Sequence, residues 1–389
     1  MDASRRDVLK AGAVLLVDQW ATSRRLVFAD EHAEGPAKDE RKVIVVACGG
    51  IRRAETFQNA GLGNIPHLVH DLLPGSVFYP YIRNAGATSH YNAISSIITG
   101  NWQRLDDWGL TAPASPTMFE YLRKRMGLAQ NNAWLVSSNK ALTSRIGASS
   151  TREFGPRYGA NVIFPKQLLI NAVIRAASQG HPEHSADRVA MQHELESILS
   201  HADDYDGLGW SVSGDEPLLD FSMQQSMGQA IDDLVRTNAP VTGDEFTLLV
   251  SEEIMQRFAP SLLVMTFSDV EVAHFGSYSM HLAGIRTMDR LVYELWQLVQ
   301  SHPSYTGRTT LFVLPEFGRD FDGSTTNGFF NHRALDDSTS LTWLMCLGEA
   351  VRSPDVVERP VEHIDICPTI ASLFGIRNLD LPGKPLPGL

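Results

Sequence analysis

Residues Phe267 to Trp296 read FSDVEVAHFGSYSMHLAGIRTMDRLVYELW, a loop carrying a carboxylate and a histidine that runs straight into a long amphipathic segment. Just upstream, SLLVMTF (Ser261 to Phe267) is a short, almost unbroken apolar run, the signature of a strand buried on both faces of a parallel sheet. Asp269 and His274 therefore fall in the loop at the C-terminal end of that strand, where open α/β sheets gather their ligands. Downstream, Ile285, Met288, Val292, Leu295 and Val299 recur at helical spacing with Arg286, Asp289, Arg290 and Glu294 between them, which predicts a helix laid on the sheet. A metal site is mounted on an α/β scaffold in this way.

The same signals repeat on either side. VIVVACGG (Val43 to Gly50) is a second buried strand, ending in a glycine turn, and Gly75 to Tyr79, Ala133 to Ser138, Leu311 to Leu314 and Leu341 to Leu347 add further strands. Ser95 to Thr99 reads as a helix closed by Gly100, Thr117 to Met126 as another, and HIDICPTIASLFGI (His363 to Ile376) as a last helix ended by Gly375. The predicted fold is α/β: a mostly parallel central sheet flanked by helices, in one domain spanning 42–389. From about 145 to 253 the strand signals give way to polar helical stretches, read as a helical insertion or cap. Its histidines His181, His184, His193 and His201 stand among acidic and polar residues without a ligand register, so they read as solvated.

Composition narrows the partners. A chain of 389 residues with 43% hydrophobic content can bury a large core, and its net charge of −12 argues against nucleic acid and against an anionic membrane surface. An anionic substrate then needs a local cationic centre. Three dispersed cysteines, Cys48, Cys346 and Cys367, are too few for a disulfide framework or a cysteine-rich zinc site. Near the N-terminus, Ser4-Arg5-Arg6-Asp7 followed by the apolar Ala11 to Val17 reads as a twin-arginine export signal over 1–30, with Val27-Phe28-Ala29 as the cleavage site and 31–41 as a linker. A basic N-terminal arm is the competing reading, because Asp18, Arg24 and Arg25 cut the apolar region short. No stretch reaches the roughly 20 apolar residues of a membrane-spanning helix. The expectation is a soluble exported or periplasmic protein, of an oligomeric state the composition leaves open.

In order, VIVVACGGIRRAETF, NIPHLVHDLLPGSVF, HYNAISSIITGNW, SPTMFEYLRKR, FSDVEVAHFGSYS, LFVLPEFGRD, NHR and HIDICPTIASLFGI resemble the sulfatase and type I phosphodiesterase branch of the alkaline phosphatase superfamily. The resemblance covers most of Val43 to Ile376 outside the helical block. It implies a divalent metal, zinc first, at the C-terminal edge of the sheet, and an ester of phosphate or sulfate on a small molecule, glycan or lipid as substrate. Asp269, His274 and His332 look like the ligands of one ion, with Glu271 competing with Asp269 for the carboxylate place. The second ion's ligands are altered: Cys48-Gly49-Gly50 stands where the family has aspartate, and Glu316-Phe317-Gly318 where it has Asp-His-Gly. Glu316 keeps a donor; Phe317 has none. Counting back from Thr99-Gly100, the family's nucleophile position falls on His90, with Ser89 and Thr88 just before it.

Arg52, Arg53 and Arg319 follow strand ends and could fork to an oxyanion, Arg319 first. Cys48 reads as apolar filler, and Asp320 and Asp322 lack the rest of a calcium-loop register. Two readings follow. One is a metal-dependent hydrolase that works with a single ion; the other is a binding protein that kept the fold and lost turnover.

Overall fold

The computed structural model describes residues 41–166 and 242–389 apart from 108, 140–142, 144, 326–327 and 335. Among these, nine strands form one sheet. They are β1 (Lys42–Ala47), β2 (Val77–Arg83), β3 (Ala133–Ser137), β4 (Asn161–Ile163), β5 (Leu262–Thr266), β6 (Thr309–Leu314), β7 (Leu341–Gly348), β8 (Asp355–Val356) and β9 (Val361–Glu362). Their order is β4-β3-β5-β1-β6-β7-β2-β8, with β9 beside β2. All pairs are parallel except those of β7, which runs against β6 and β2. The ladder of β2 with β7 slips between Tyr79 and Ile82, where Pro80 has no N–H to give.

The continuous apolar runs are explained by burial on both faces. Alternate residues of β1, β5 and β6 serve two cores. Ile44, Val46, Leu263, Met265, Leu311 and Val313 pack with α3 (Gly243–Phe258) and α4 (Tyr278–Ser301). Val43, Val45, Leu262, Val264, Phe312 and Leu314 pack with α1 (His90–Thr99), α2 (Met118–Met126) and α5 (Ile366–Leu373). The expected helix over Ile285 to Val299 is α4, with all five of those residues buried. Helix α2 opens with a capping box: the Thr117 hydroxyl accepts from Glu120 N–H while Glu120 accepts from Thr117 N–H. Gly100, at φ 68°, closes α1 as expected.

Both described ends of the 145–253 block belong to the sheet layers. Asn161–Ile163 is an edge strand and Gly243–Phe258 packs on the core, while 167–241, with its four histidines, lies outside the described residues, as do residues 1–30, where an export signal is expected, and 31–40. No described helix is long and apolar enough to cross a membrane.

Candidate metal centre

The centre forms where β1, β5 and β6 end side by side. Beyond β5 the chain makes a tight helical turn, Asp269–Phe275, closed by Gly276 at φ 81°. The start of that turn is tied to α3. The buried Asp244 carboxylate accepts from Ser268 N–H at 2.7 Å and Asp269 N–H at 3.1 Å, and the Asp269 carboxylate accepts in return from Asp244 N–H at 2.9 Å. Burial, and then the neighbouring Asp269, raise the Asp244 carboxyl well above the usual carboxylate range.

Further along the turn, Glu271 and His274 meet two histidines from distant parts of the chain. One donor atom from each of His90, Glu271, His274 and His332 lies within 4.8 Å of all the others. His274 Nε2 is 3.1 Å from His332 Nε2 and 3.1 Å from Glu271 Oε2, and His90 Nε2 is 3.2 Å from the same oxygen. Two of the rings are fixed from behind. His332 Nδ1 faces the carbonyl of Thr88, which can only accept, so its proton is on Nδ1 and the Nε2 lone pair points into the cluster. Thr88 Oγ1 donates in return to the His332 carbonyl. His90 Nδ1 lies 2.7 Å from Glu316 Oε2, the carboxylate–histidine arrangement that orients metal-binding imidazoles.

Glu271 is held equally firmly. Its Oε1 accepts from Gly50 N–H at 2.7 Å, and its Oε2 faces the Arg319 guanidinium. Glycine is required at the approach: a Cβ on Gly49 would lie 2.8 Å from Glu271 Oε1, and Gly49 has φ 55°. The glycine turn after β1 is thus a cradle for the Glu271 carboxylate.

The charges divide accordingly. Burial alone would lower the His90 pKa, but Glu271 and Glu316 outweigh it and push it up from 6.5 to about 10. Burial would raise Glu271, yet Arg319 and His90 hold it well below the ordinary value. His332 is kept well below its usual value by burial first and by the charge of His90 next. Glu316 is raised, because burial exceeds what His90 returns. Arg319 and then His90 are the charges that favour the Glu271 carboxylate, and His90 does the same for Glu316.

The expected site residues do not all come together. His274 and His332 do come together, but Asp269 is not in the cluster; α3 has claimed its carboxylate, and Glu271 takes the place. His90, expected at the nucleophile position, turns its ring into the cluster instead. Glu316 stands one step back, on His90. Arg319 does not face a crevice: it is 0% exposed and is spent on Glu271, the Gly50 carbonyl and the Phe329 carbonyl. Arg52 is likewise buried against Glu55, the Asp320 carbonyl and Asp322, while Arg53 lies over the Tyr81 ring. Ser89 is the N-cap of α1, its hydroxyl accepting from Asn92. Asp320 shapes its own loop by accepting from Ala334 N–H and the Thr339 hydroxyl. Cys48 is buried, its thiol pushed up by burial. Phe317 is buried with its ring centroid 4.8 Å from that of His90 and 4.4 Å from that of His332, so an aromatic face replaces a donor beside the cluster. A usable signal for Glu271 was present in the sequence: in a helical turn, residues three apart share a face, as Glu271 and His274 do and Asp269 and His274 do not.

No protein-family model matches the chain, and no curated protein matches it significantly. Solved structures do. A variant of the alkaline phosphatase PafA superposes with a TM-score of 0.55 at 12% identity, over 90% of this chain and 99% of that one. A protein of the alkaline phosphatase superfamily from Vibrio parahaemolyticus gives 0.51 at 11%, over 94% and 75%. A phosphonate monoester hydrolase from Silicibacter pomeroyi gives 0.50 at 15%, over 89% and 76%. The chain has the fold of the alkaline phosphatase superfamily.

Proposed function

We propose that this protein is a hydrolase of phosphate or sulfate esters that works with one divalent ion, zinc first, bound by His90, Glu271, His274 and His332. The observation that supports it is the convergence of three imidazoles and one carboxylate at the C-terminal edge of the sheet, with two of the rings oriented from behind. Nitrogen and oxygen donors in that number suit zinc or a similar ion. A divalent ion held there supplies Lewis acidity toward an ester's anionic oxygen and toward an attacking water. Arg319 and Gly50 N–H keep the Glu271 carboxylate in place, and Glu316 and the Thr88 carbonyl keep two of the rings turned inward. The Thr88 hydroxyl donates away, to the His332 carbonyl, and the Ser89 hydroxyl is engaged with Asn92, so we assign the attack to water and not to a side chain. Arg333, next to His332, is exposed and makes no hydrogen bond or ion pair among the described residues; we assign it to the anionic group of the substrate. The Arg5-Arg6 motif supports a place of action outside the cytoplasm, which fractionation of expressing cells tests.

A second reading, metal-dependent binding without turnover, is favoured by two features: the His90 ring occupies the cluster, and Phe317 packs where a second ion's ligand is expected. Metal analysis of the purified protein, followed by assays on aryl phosphates and sulfates, decides between them. One ion per chain with turnover that disappears in His274→Ala supports the hydrolase. One ion without turnover supports the binding protein, and absence of any ion from metal-supplemented protein rejects both.

A further inference from the structure

Among the described residues, the two loops that bring His274 and His332 to the cluster also carry a group of exposed and half-exposed aromatic side chains. His274 is followed by Phe275, 51% exposed, and by Tyr278 and Met280, 43% and 57% exposed at the start of α4. His332 is preceded by Phe329 and Phe330. The Phe329 ring stands edge-on to Tyr278 at 4.9 Å and stacks on Phe330 at 4.4 Å. Phe330 in turn lies over Gly276, where a Cβ would come within 2.6 Å of its ring. Phe321, 51% exposed, follows the Arg319 segment. The two loops are therefore closed on each other by aromatic contact, beside the histidines they carry.

The rim is built rather than incidental. Tyr278 is anchored by its hydroxyl, which donates to Glu55 at 3.3 Å. The Phe329 carbonyl accepts from Arg319, the same guanidinium that holds Glu271, so rim and cluster share one support. Large, partly exposed apolar side chains beside a site of convergent polar donors mark a surface that binds an apolar group. Flat rings packed edge-on and stacked offer that group further aromatic contact.

We infer that this rim, Phe275, Tyr278, Phe321, Phe329 and Phe330, receives the organic part of the ester, and that the substrates are esters of apolar, ring-bearing alcohols in preference to small polar ones. The inference rests on the function proposed above and specifies its substrate class. The cluster takes the anionic group, and the rim takes the ring attached to it.

The experiment compares phenylphosphonate with methylphosphonate, two inert anions that differ in the ring alone, by calorimetry on the full-length protein loaded with zinc. Phenylphosphonate is expected to bind about tenfold more tightly, the size of one or two favourable aromatic contacts. Phe275→Ala and Phe321→Ala, both at exposed positions, are expected to cut that ratio several-fold. Val356→Ala, at an exposed position on the edge strand β8, is expected to keep it. Equal binding of the two phosphonates, binding of neither, or a ratio indifferent to both phenylalanine substitutions overturns the inference. Metal content and ester turnover measured on the same samples report separately whether the underlying reading has failed.

Discussion

Two groups of buried and half-buried ionisable side chains meet at the turn beyond β5, and they are built on opposite principles. Asp244 and Asp269 close on each other: each carboxylate accepts backbone N–H groups from the other's segment, which ties the loop to the helix. His90, Glu271, His274 and His332 face the other way. The Nδ1 atoms of His90 and His332 are held by Glu316 and the Thr88 carbonyl, and Glu271 Oε1 by Gly50 N–H, while Glu271 Oε2, which also faces Arg319, converges with the Nε2 atoms of the histidines. A carboxylate whose lone pairs are taken up by the backbone is a structural joint. Donors that converge on one another, most of them held from behind, form a candidate binding site.

The largest effect expected from this contrast is on bound metal. His332→Ala should reduce zinc from one ion per chain to a trace after dialysis, whereas Asp269→Asn should retain the full ion; both are read by elemental analysis. Retention by the first and loss by the second would reverse the assignment of the two groups.

Next in size is the joint itself. Asp244→Ala leaves the Ser268 and Asp269 N–H groups without their acceptor in a buried place, which should cost about 3 kcal/mol of stability. Urea unfolding of the metal-free protein measures it. A loss below about 0.5 kcal/mol would show that Asp244 is no joint, since exposed substitutions away from such features cost no more.

The smallest effect concerns His363, a third kind of buried ionisable group. Its Nε2 donates to the Pro315 carbonyl at 3.1 Å, and burial pushes its pKa down from 6.5 to about 4. The unfolded chain takes up this proton first as pH falls. The native state therefore keeps its full stability from this group above pH 6.5 and loses it progressively between 6.5 and 4. His363→Gln keeps a donor and removes the titration, so the wild type should lose about 2 kcal/mol more than the variant between pH 7 and pH 5. Parallel pH profiles for the two proteins would show that His363 does not titrate in this way.

Much of the scaffold was legible in the linear sequence because it depends on local properties. Apolar runs such as Val43 to Val46 and Leu311 to Leu314 have no polar side that could face water, so they had to become inner strands. Thr117 with Glu120 three residues later, and Gly100 after Thr99, mark helix ends through bonds spanning only a few residues. The position of the candidate site followed from the same logic, since loops after parallel strands share one edge of the sheet.

Which side chains face that site was decided by contacts between segments far apart in the chain. Asp269 is the first acid after β5, but the N–H of Asp244, 25 residues earlier, takes its carboxylate. Glu271 is selected instead by Gly50 and Arg319, more than 200 residues before it and 48 after it. Arg319 carries a charge that suits a substrate anion until this pairing consumes it. His90 reads as a nucleophile by position, yet its ring, with Nδ1 on Glu316 beyond the end of β6, turns toward Glu271 and the other two histidines. Sequence determined which elements form and at which edge of the sheet their loops meet, because strand burial and helix capping are local or periodic. Tertiary structure alone determined which donors converge, because the direction of a side chain at a strand end is set by whichever partner, however distant in sequence, satisfies its other polar atoms.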